Sequence, residues 1–311
     1  MQMEKLNKFT ERMMELVAEE KENLFKGAYS IREDGNCVGH LSSDNITIKA
    51  KEGRPGIDVF IKENTKGETV FIPTCVTQGG IDDLVYNDFY IGEGCDIKIV
   101  SGCGVHTEDG SMAKHNGVHF FHVGAHAHVL YEEKHIGTGD GKGTKSINPN
   151  TKIELEPYSY LEINATQISG VDKAIRSTKA VVKEGAKFIV HERLFTEGEQ
   201  TTKSHFKVEL DGDNSHADVV SRSVAKDQSY QSMDSVIIGN SVCSGHSECD
   251  SIIDGDAIVE ASPRLFARNK EASLIHEAAI GKIAGEQILK LRTLGLSEEE
   301  AENEIIQGFL S

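Results

Sequence analysis

Between about Gly27 and Glu271 apolar and polar residues alternate in short runs. Ile57, Val59 and Ile61 form one such run, and Val70 and Ile72, Ile97 and Ile99, and Val129 and Tyr131 form others. Ile153 and Leu155, Leu161 and Ile163, Phe188 and Val190, and Val208 and Leu210 continue the series. A period of two is the mark of strands with one buried face, and Gly, Asn and Asp punctuate the runs where strands should end. The flanks change period. Leu6, Phe9, Met13, Leu16, Val17 and Leu24 recur at helical spacing, which predicts an amphipathic helix over 4–26 that packs on its own domain. Ile275, Ala278, Ala279, Ile283, Ala284, Ile288 and Leu291 form a second helical stripe, with Gly295 placed as its C′ cap. Ser297 to Glu300 reads as a capping box, followed by Ala301, Ile305, Ile306, Phe309 and Leu310 on one face. The pattern divides the chain into an N-terminal helix (1–26), an all-β core (27–271) and a C-terminal helical region (272–311).

The β runs resemble one another. Segments starting at Ile91, Val123, Val182 and Leu210 each open with an apolar residue, make a Gly- or Asp-rich turn and enter an alternating strand. The starts lie 32, 59 and 28 residues apart, with a weaker copy at Leu155 inside the long gap. A period of roughly 30 residues with one supersecondary unit per copy predicts a solenoid, here a parallel β-helix. A β-sandwich is the competing architecture, since its turns also recur at short intervals.

The charge narrows the partners. Fifty acidic against 33 basic residues give a net charge of −17, which argues against a nucleic-acid surface, where clustered Lys and Arg are needed. Thirty Gly with only 5 Pro and no Trp fit many tight turns. No stretch reaches the ~18 apolar residues of a membrane span, and the Glu-rich start has no signal-peptide core. The six cysteines include no CxxC pair, so a reducing cytoplasm with free thiols is expected.

Three constellations could carry chemistry. Seven of the 13 histidines lie between His106 and His135. His126 and His128 would share a face on one strand and could begin a metal site, with His135 a weaker addition, whereas His119 and His122 would point to opposite faces. The bland reading of the group is a mixture of surface and turn histidines. Cys249 begins a strand, and His276 and Glu277 follow the last strand run at the head of the helix. Thiolate, imidazole and carboxylate together suit a borderline metal such as iron. The 28 residues between Cys249 and Glu277 are close to one rung, so a solenoid would nearly stack them. The third constellation, Gly137 to Ser146, looks like a phosphate loop, but Thr144 stands where a P-loop needs the Gly before Lys-Ser. It reads as a flexible loop, and no nucleotide site is expected on this chain.

The segment from Cys249-Asp-Ser-Ile-Ile through Ala261-Ser-Pro to His276-Glu-Ala-Ala-Ile-Gly-Lys-Ile283 resembles the SufB/SufD family of iron–sulfur cluster assembly proteins. Glu286-Gln-Ile-Leu, Gly295 to Ala301 and Ile305-Ile-Gln-Gly-Phe309 extend the resemblance, and Asn87 to Gly94 with Ser101-Gly-Cys103 match it more loosely. It covers about residues 70–311. The resemblance implies a right-handed parallel β-helix flanked by helices, acting as a scaffold for a transient, nascent Fe–S cluster. It implies a SufC-like ABC-type ATPase partner docking on about 276–310. Cys249 falls on the essential cysteine of B-type members, Glu277 on its paired glutamate, and His276 on the histidine that the D-type partner contributes. Cys103 falls on a cysteine that looks like a sulfur entry point. Departures are the shorter N-terminal region, His135 where B-type members often carry Trp, and Glu133 in place of an amide.

One chain holding Cys, Glu and His resembles a minimal system in which a homodimer, meeting through the last β-helix rungs, replaces a heterodimer. The expectation is therefore a cytoplasmic scaffold, not an enzyme, whose site is buried at a dimer interface. Two rivals are a metal-dependent hydrolase or lyase on a β-helix using the His106–His135 cluster, and a purely structural D-type partner without a cluster.

Overall fold

A computed structural model of the protein describes residues 27–311 apart from 109 and 140–141, and before them only residues 8, 10–12 and 15. The expected helix over 4–26 lies largely outside the described residues. The chain winds into a parallel β-solenoid of about 8 turns. Successive strands fall alternately into two long sheets, so each turn adds one strand to each. At the N-terminal end antiparallel pairings close the stack: Ala28–Glu33 pairs with Asn36–Leu41, and Ile46–Ala50 with Gly56–Ile61. The sandwich alternative is excluded by the parallel ladders that follow.

Side-chain alternation does the sorting. In Thr201–Leu210 every second residue, from Thr202 to Leu210, is buried and its neighbours are partly exposed. Val59, Phe89, Phe121, Leu155, Val182 and Leu210 fill one continuous apolar core with Val70, Ile99, Tyr131, Phe188 and Val219 from the facing sheet. Lys145–Ile147 and Asn150–Leu155 are one rung's contribution to a sheet, interrupted at Pro149, which has no N–H to give to the ladder.

The corners explain the repeat read from the sequence. Asn64, Gly94, His126, Tyr158, Gly185 and Asn214 all adopt the left-handed conformation, with φ between 58 and 65°. Each donates its N–H to a carbonyl on the following turn: Asn64 to Glu93, Gly94 to Ala125, His126 to Pro157, Tyr158 to Glu184, Gly185 to Asp213 and Asn214 to Val242. Gly and Asn reach this region cheaply; His126 and Tyr158 are held there by their rungs.

The C-terminal boundary lies later than the sequence predicts. Ser273–Gly281 is a strand, not the start of a helix, and it carries His276 and Glu277. Its residues fit a helical stripe, but Leu274 and His276 also fit a strand alternation. The open edge of Ser244–Ile253 decides, because it offers backbone partners along the whole segment. Two helices follow, α1 (Gly285–Thr293) and α2 (Glu298–Leu310). Gly295, at φ 102°, follows the end of α1, and its N–H bonds to the Arg292 carbonyl. At the start of α2 the Ser297 hydroxyl accepts from the Glu300 N–H, and Glu300 accepts from the Ser297 N–H. Helix α2 buries Ala301 and Ile306 and packs against the strand His216–Ala225. No helix among the described residues is long and apolar enough to cross a membrane.

Candidate functional site

Strict register turns each face of a sheet into columns of stacked side chains. One inward column runs Ser101, Glu133, Ala165, Glu192, Ser221, Cys249 and Ala278. The inward column two residues later runs Cys103, His135, Gln167, Leu194, Ser223, Ser251 and Ile280. Cys103 and Cys249 therefore share one interior, separated by five strand spacings, or about 24 Å at ~4.8 Å each.

Polar groups bridge that distance. Glu133 accepts from the Tyr131 hydroxyl at 3.1 Å and from Arg176 Nη1 at 2.6 Å, and His135 Nε2 lies 3.4 Å from its Oε1. Arg176 reaches on to Glu192, Nε to Oε1 at 3.3 Å. Glu192 also accepts from Ser204 Oγ (2.6 Å) and Ser221 Oγ (2.8 Å), and Ser221 is the register neighbour of Cys249. Burial works against the Glu133 charge, but Arg176 and His135 outweigh it and hold the carboxyl well below its ordinary range. Burial, helped by His115, His135 and Arg176 and opposed by Glu133, pushes His119 down to about 4, so this imidazole is neutral at pH 7, and its Nδ1 is buried without a hydrogen-bond partner. Nearer the N-terminal end, burial opposes the Asp83 charge, but His115 Nδ1 (2.9 Å) and Arg32 (2.7 Å) overcome it and bring the carboxyl to about 2.

Cys249 is buried. Burial, more than the nearby Glu192 and Asp250 charges, pushes its thiol up to about 11, while a contact with Ser251 works the other way. Burial likewise pushes Cys103 well above the ordinary thiol range, with Glu133 adding to it. His276 is the register partner of Ser247 on the inward side, and its Nδ1 is buried with no hydrogen-bond partner. Glu277 pairs with Glu248 and points outward. One turn here is 29 residues, so Cys249 stacks on Ala278 rather than on Glu277. The near-stacking read from the sequence is off by one residue, and on a strand one residue is the opposite face. Within one chain the structure brings Cys249 and His276 to the same interior and leaves Glu277 outside.

His126 and His128 do not share a strand face, and the reading of them as turn and surface histidines holds. His126 is a corner residue, not a strand residue, and its ring stacks on Tyr158 at 5.3 Å. His128 stacks outside on Tyr160 at 4.4 Å, and His135 is buried within. His119 and His122 do take opposite faces.

The sequence reading passed over a different set. His246, Glu248 and Glu277 present ligand atoms that all lie within 4.8 Å of one another on the outer face of the last two rungs. No motif marks these residues. The signal that finds them is register: Glu248 lies directly opposite Glu277, and Asp218 directly opposite His246.

Residues 87–309 match the family model described as SUF system FeS cluster assembly, SufBD core domain. The chain is 26% identical over 290 residues to an iron–sulfur cluster assembly SufBD family protein of Methanocaldococcus jannaschii, covering 92% of this chain and 90% of that one. Similar proteins of Methanothermobacter thermautotrophicus (29% over 272 residues) and Archaeoglobus fulgidus (30% over 227 residues) cover 85% and 73% of this chain. The chain spans 64% and 60% of their respective lengths.

Two outcomes follow from the interior. Arg176→Leu leaves Glu133 and Glu192 buried and unpaired, and should cost about 3–5 kcal/mol in urea denaturation; a loss under about 1 kcal/mol would contradict the bridging role. A thiol titrating near 11 stays protonated at pH 8, so iodoacetamide should label Cys249 far more slowly than the exposed Cys37 in the folded chain. Its rate should climb as pH rises toward 11, and equal rates for the two at pH 8 would contradict the burial.

Proposed function

This chain belongs to the SufBD family of iron–sulfur cluster assembly proteins, and we propose that it is a scaffold on which a nascent cluster is built at its C-terminal rungs. The observation that carries the reading is the position of Cys249. It lies inside the family match and is buried one strand from the free end of its sheet, with the inward His276 on the terminal strand. The Cys249 thiolate attacks the outer sulfur of a donor persulfide, whose inner sulfur leaves as the donor's thiolate, and the sulfur-loaded cysteine ligates iron; His276 and Glu277 supply the harder ligands. Cluster and iron are cargo here, not resident cofactors.

A thiol at about 11 does not ionise unaided at neutral pH. Either an iron ion displaces its proton or the site opens. Opening also addresses the face problem, because Glu277 must come round to meet Cys249, from the same chain or from a second copy. The strands Ser273–Gly281 and Ile258–Ala267 end the two sheets with unpaired edges, and Ile258 and Ile275 are exposed there. A homodimer meeting through these last rungs covers the edges and shields the nascent cluster from oxidation. A SufC-like ABC ATPase docks on about 276–310, where α1 buries no residue and Leu289 and Leu294 are exposed. Its motion opens the dimer interface. Cys103, at the other end of the buried polar column, is the sulfur entry, and the system works in the cytoplasm.

Anaerobic reconstitution with iron and sulfide tests the ligands. Cys249→Ser should hold much less cluster by absorbance and iron content, and a variant that holds as much as the wild type would remove Cys249 from the site. Deleting 297–311 should abolish co-purification with the ATPase; an unchanged complex would sink the docking surface.

A further inference from the structure

The outer face of the last two rungs carries a ligand set that the thiol site does not use. His246 and Glu248 are alternate residues of the strand Ser244–Ile253, so both point away from the core. Glu277 reaches them from the terminal strand as the register partner of Glu248. Two carboxylates directly opposite each other on adjacent strands, with ligand atoms within 4.8 Å of one another, repel. Asp250 adds a third negative charge nearby. A cation between Glu248 and Glu277 would relieve this repulsion.

The imidazole is already oriented for such a cation. Asp218, the register neighbour of His246 one turn earlier, lies 2.8 Å from His246 Nδ1 through its Oδ1. An ionised carboxylate only accepts, so Nδ1–H donates to Asp218 and Nε2 is the nitrogen left for a metal. This carboxylate–histidine arrangement is the one that fixes metal-ligating imidazoles elsewhere. One nitrogen and two carboxylates suit a first-row divalent ion of the Fe2+, Co2+ or Zn2+ class. Cys249 lies on the inward face of the same strand, so its sulfur is not part of this set.

We propose that His246, Glu248 and Glu277 bind one first-row divalent cation on the outer face of the terminal rungs, with Asp218 as the positioning residue. The identification of that ion as the Fe2+ to be built into a cluster rests on the scaffold reading above; the binding itself does not. Glu277 is common to both ligand sets, and it places the ion on the opposite side of one strand from the Cys249 thiol. The outer set is then a loading position for iron, from which Glu277 carries the ion inward when the last rungs open.

Anaerobic titration of the metal-free full chain with Co2+ tests this. Wild type should bind one Co2+ per chain with weak visible bands and no thiolate-to-cobalt charge transfer in the near-ultraviolet. Glu260→Gln, an exposed carboxylate on the other sheet, should bind it unchanged. His246→Ala and Glu248→Gln should each weaken binding at least about tenfold, and Asp218→Asn by about 10–100-fold, with far-ultraviolet circular dichroism confirming that each variant is folded. The proposal is overturned if no stoichiometric Co2+ binds, if both His246→Ala and Glu248→Gln bind it as wild type does, or if the bound Co2+ shows a thiolate band that Cys249→Ser removes. The scaffold reading fails separately, if Cys249→Ser still assembles a full cluster; the Co2+ result would then stand on its own.

Discussion

Each rung of this protein is held by the peptide groups of the rungs on either side. The parallel ladder gives the N–H groups of the inner strands carbonyls on a neighbouring turn, and the left-handed corner residues continue it through the bends, as in the bond from the Gly185 N–H to the Asp213 carbonyl. Everything else depends on this constraint. It makes rung height uniform and stacks side chains in columns. It also divides each strand between an inside and an outside with no intermediate setting. Buried Tyr131, Phe188 and Val219 and outward His128, Glu248 and Glu277 follow from the same alternation.

A solenoid of this kind would be expected to fill its interior with aliphatic residues. Here the apolar core gives way, midway along the stack, to charge and hydroxyl groups from both sheets. Glu133, Arg176 and Glu192 form a buried ionic chain, and Ser204, Ser221, Ser223 and Ser251 continue it toward Cys249. A buried ion pair is weak support for stability, since desolvation offsets much of its Coulomb energy. Apolar residues would hold these rungs at least as well. The polar column is therefore better understood through what lies at its two ends, a buried thiol at Cys103 and another at Cys249.

The two faces of the strand Ser244–Ile253 present different chemistry within a few ångströms. Inside are a protonated thiol and hydroxyls; outside are an oriented imidazole and carboxylates. The scaffold reading proposed above would use the shielded soft ligand for sulfur and the open, harder ligands for iron. The terminal strand Ser273–Gly281 belongs to both faces, with His276 inward and Glu277 outward. Among the described residues it is also an end strand of its sheet, and so easier to move than the strands inside the stack.

The sequence by itself determined the solenoid, its approximate period, its Gly- and Asn-rich corners and the capped terminal helix. These are local properties: alternation, left-handed preference at Gly94, Gly185 and Asn214, and a hydroxyl three residues before a glutamate at Ser297. The family resemblance was also legible, in the ordered pieces from Cys249 to Phe309. The tertiary structure alone decided which residues meet. Rung length varies along the chain, so spacing places two residues in neighbouring turns without saying which face they share. A turn of 29 residues set Cys249 on Ala278 and Glu248 on Glu277, and the turn before it, of 28, set Asp218 beside His246. It also turned an apparent helical stripe into the last strand, because a sheet edge was waiting for it. The buried ionic chain was hidden for a related reason: Glu133, Arg176 and Glu192 occupy inward positions that a reading of polarity assigns to the surface.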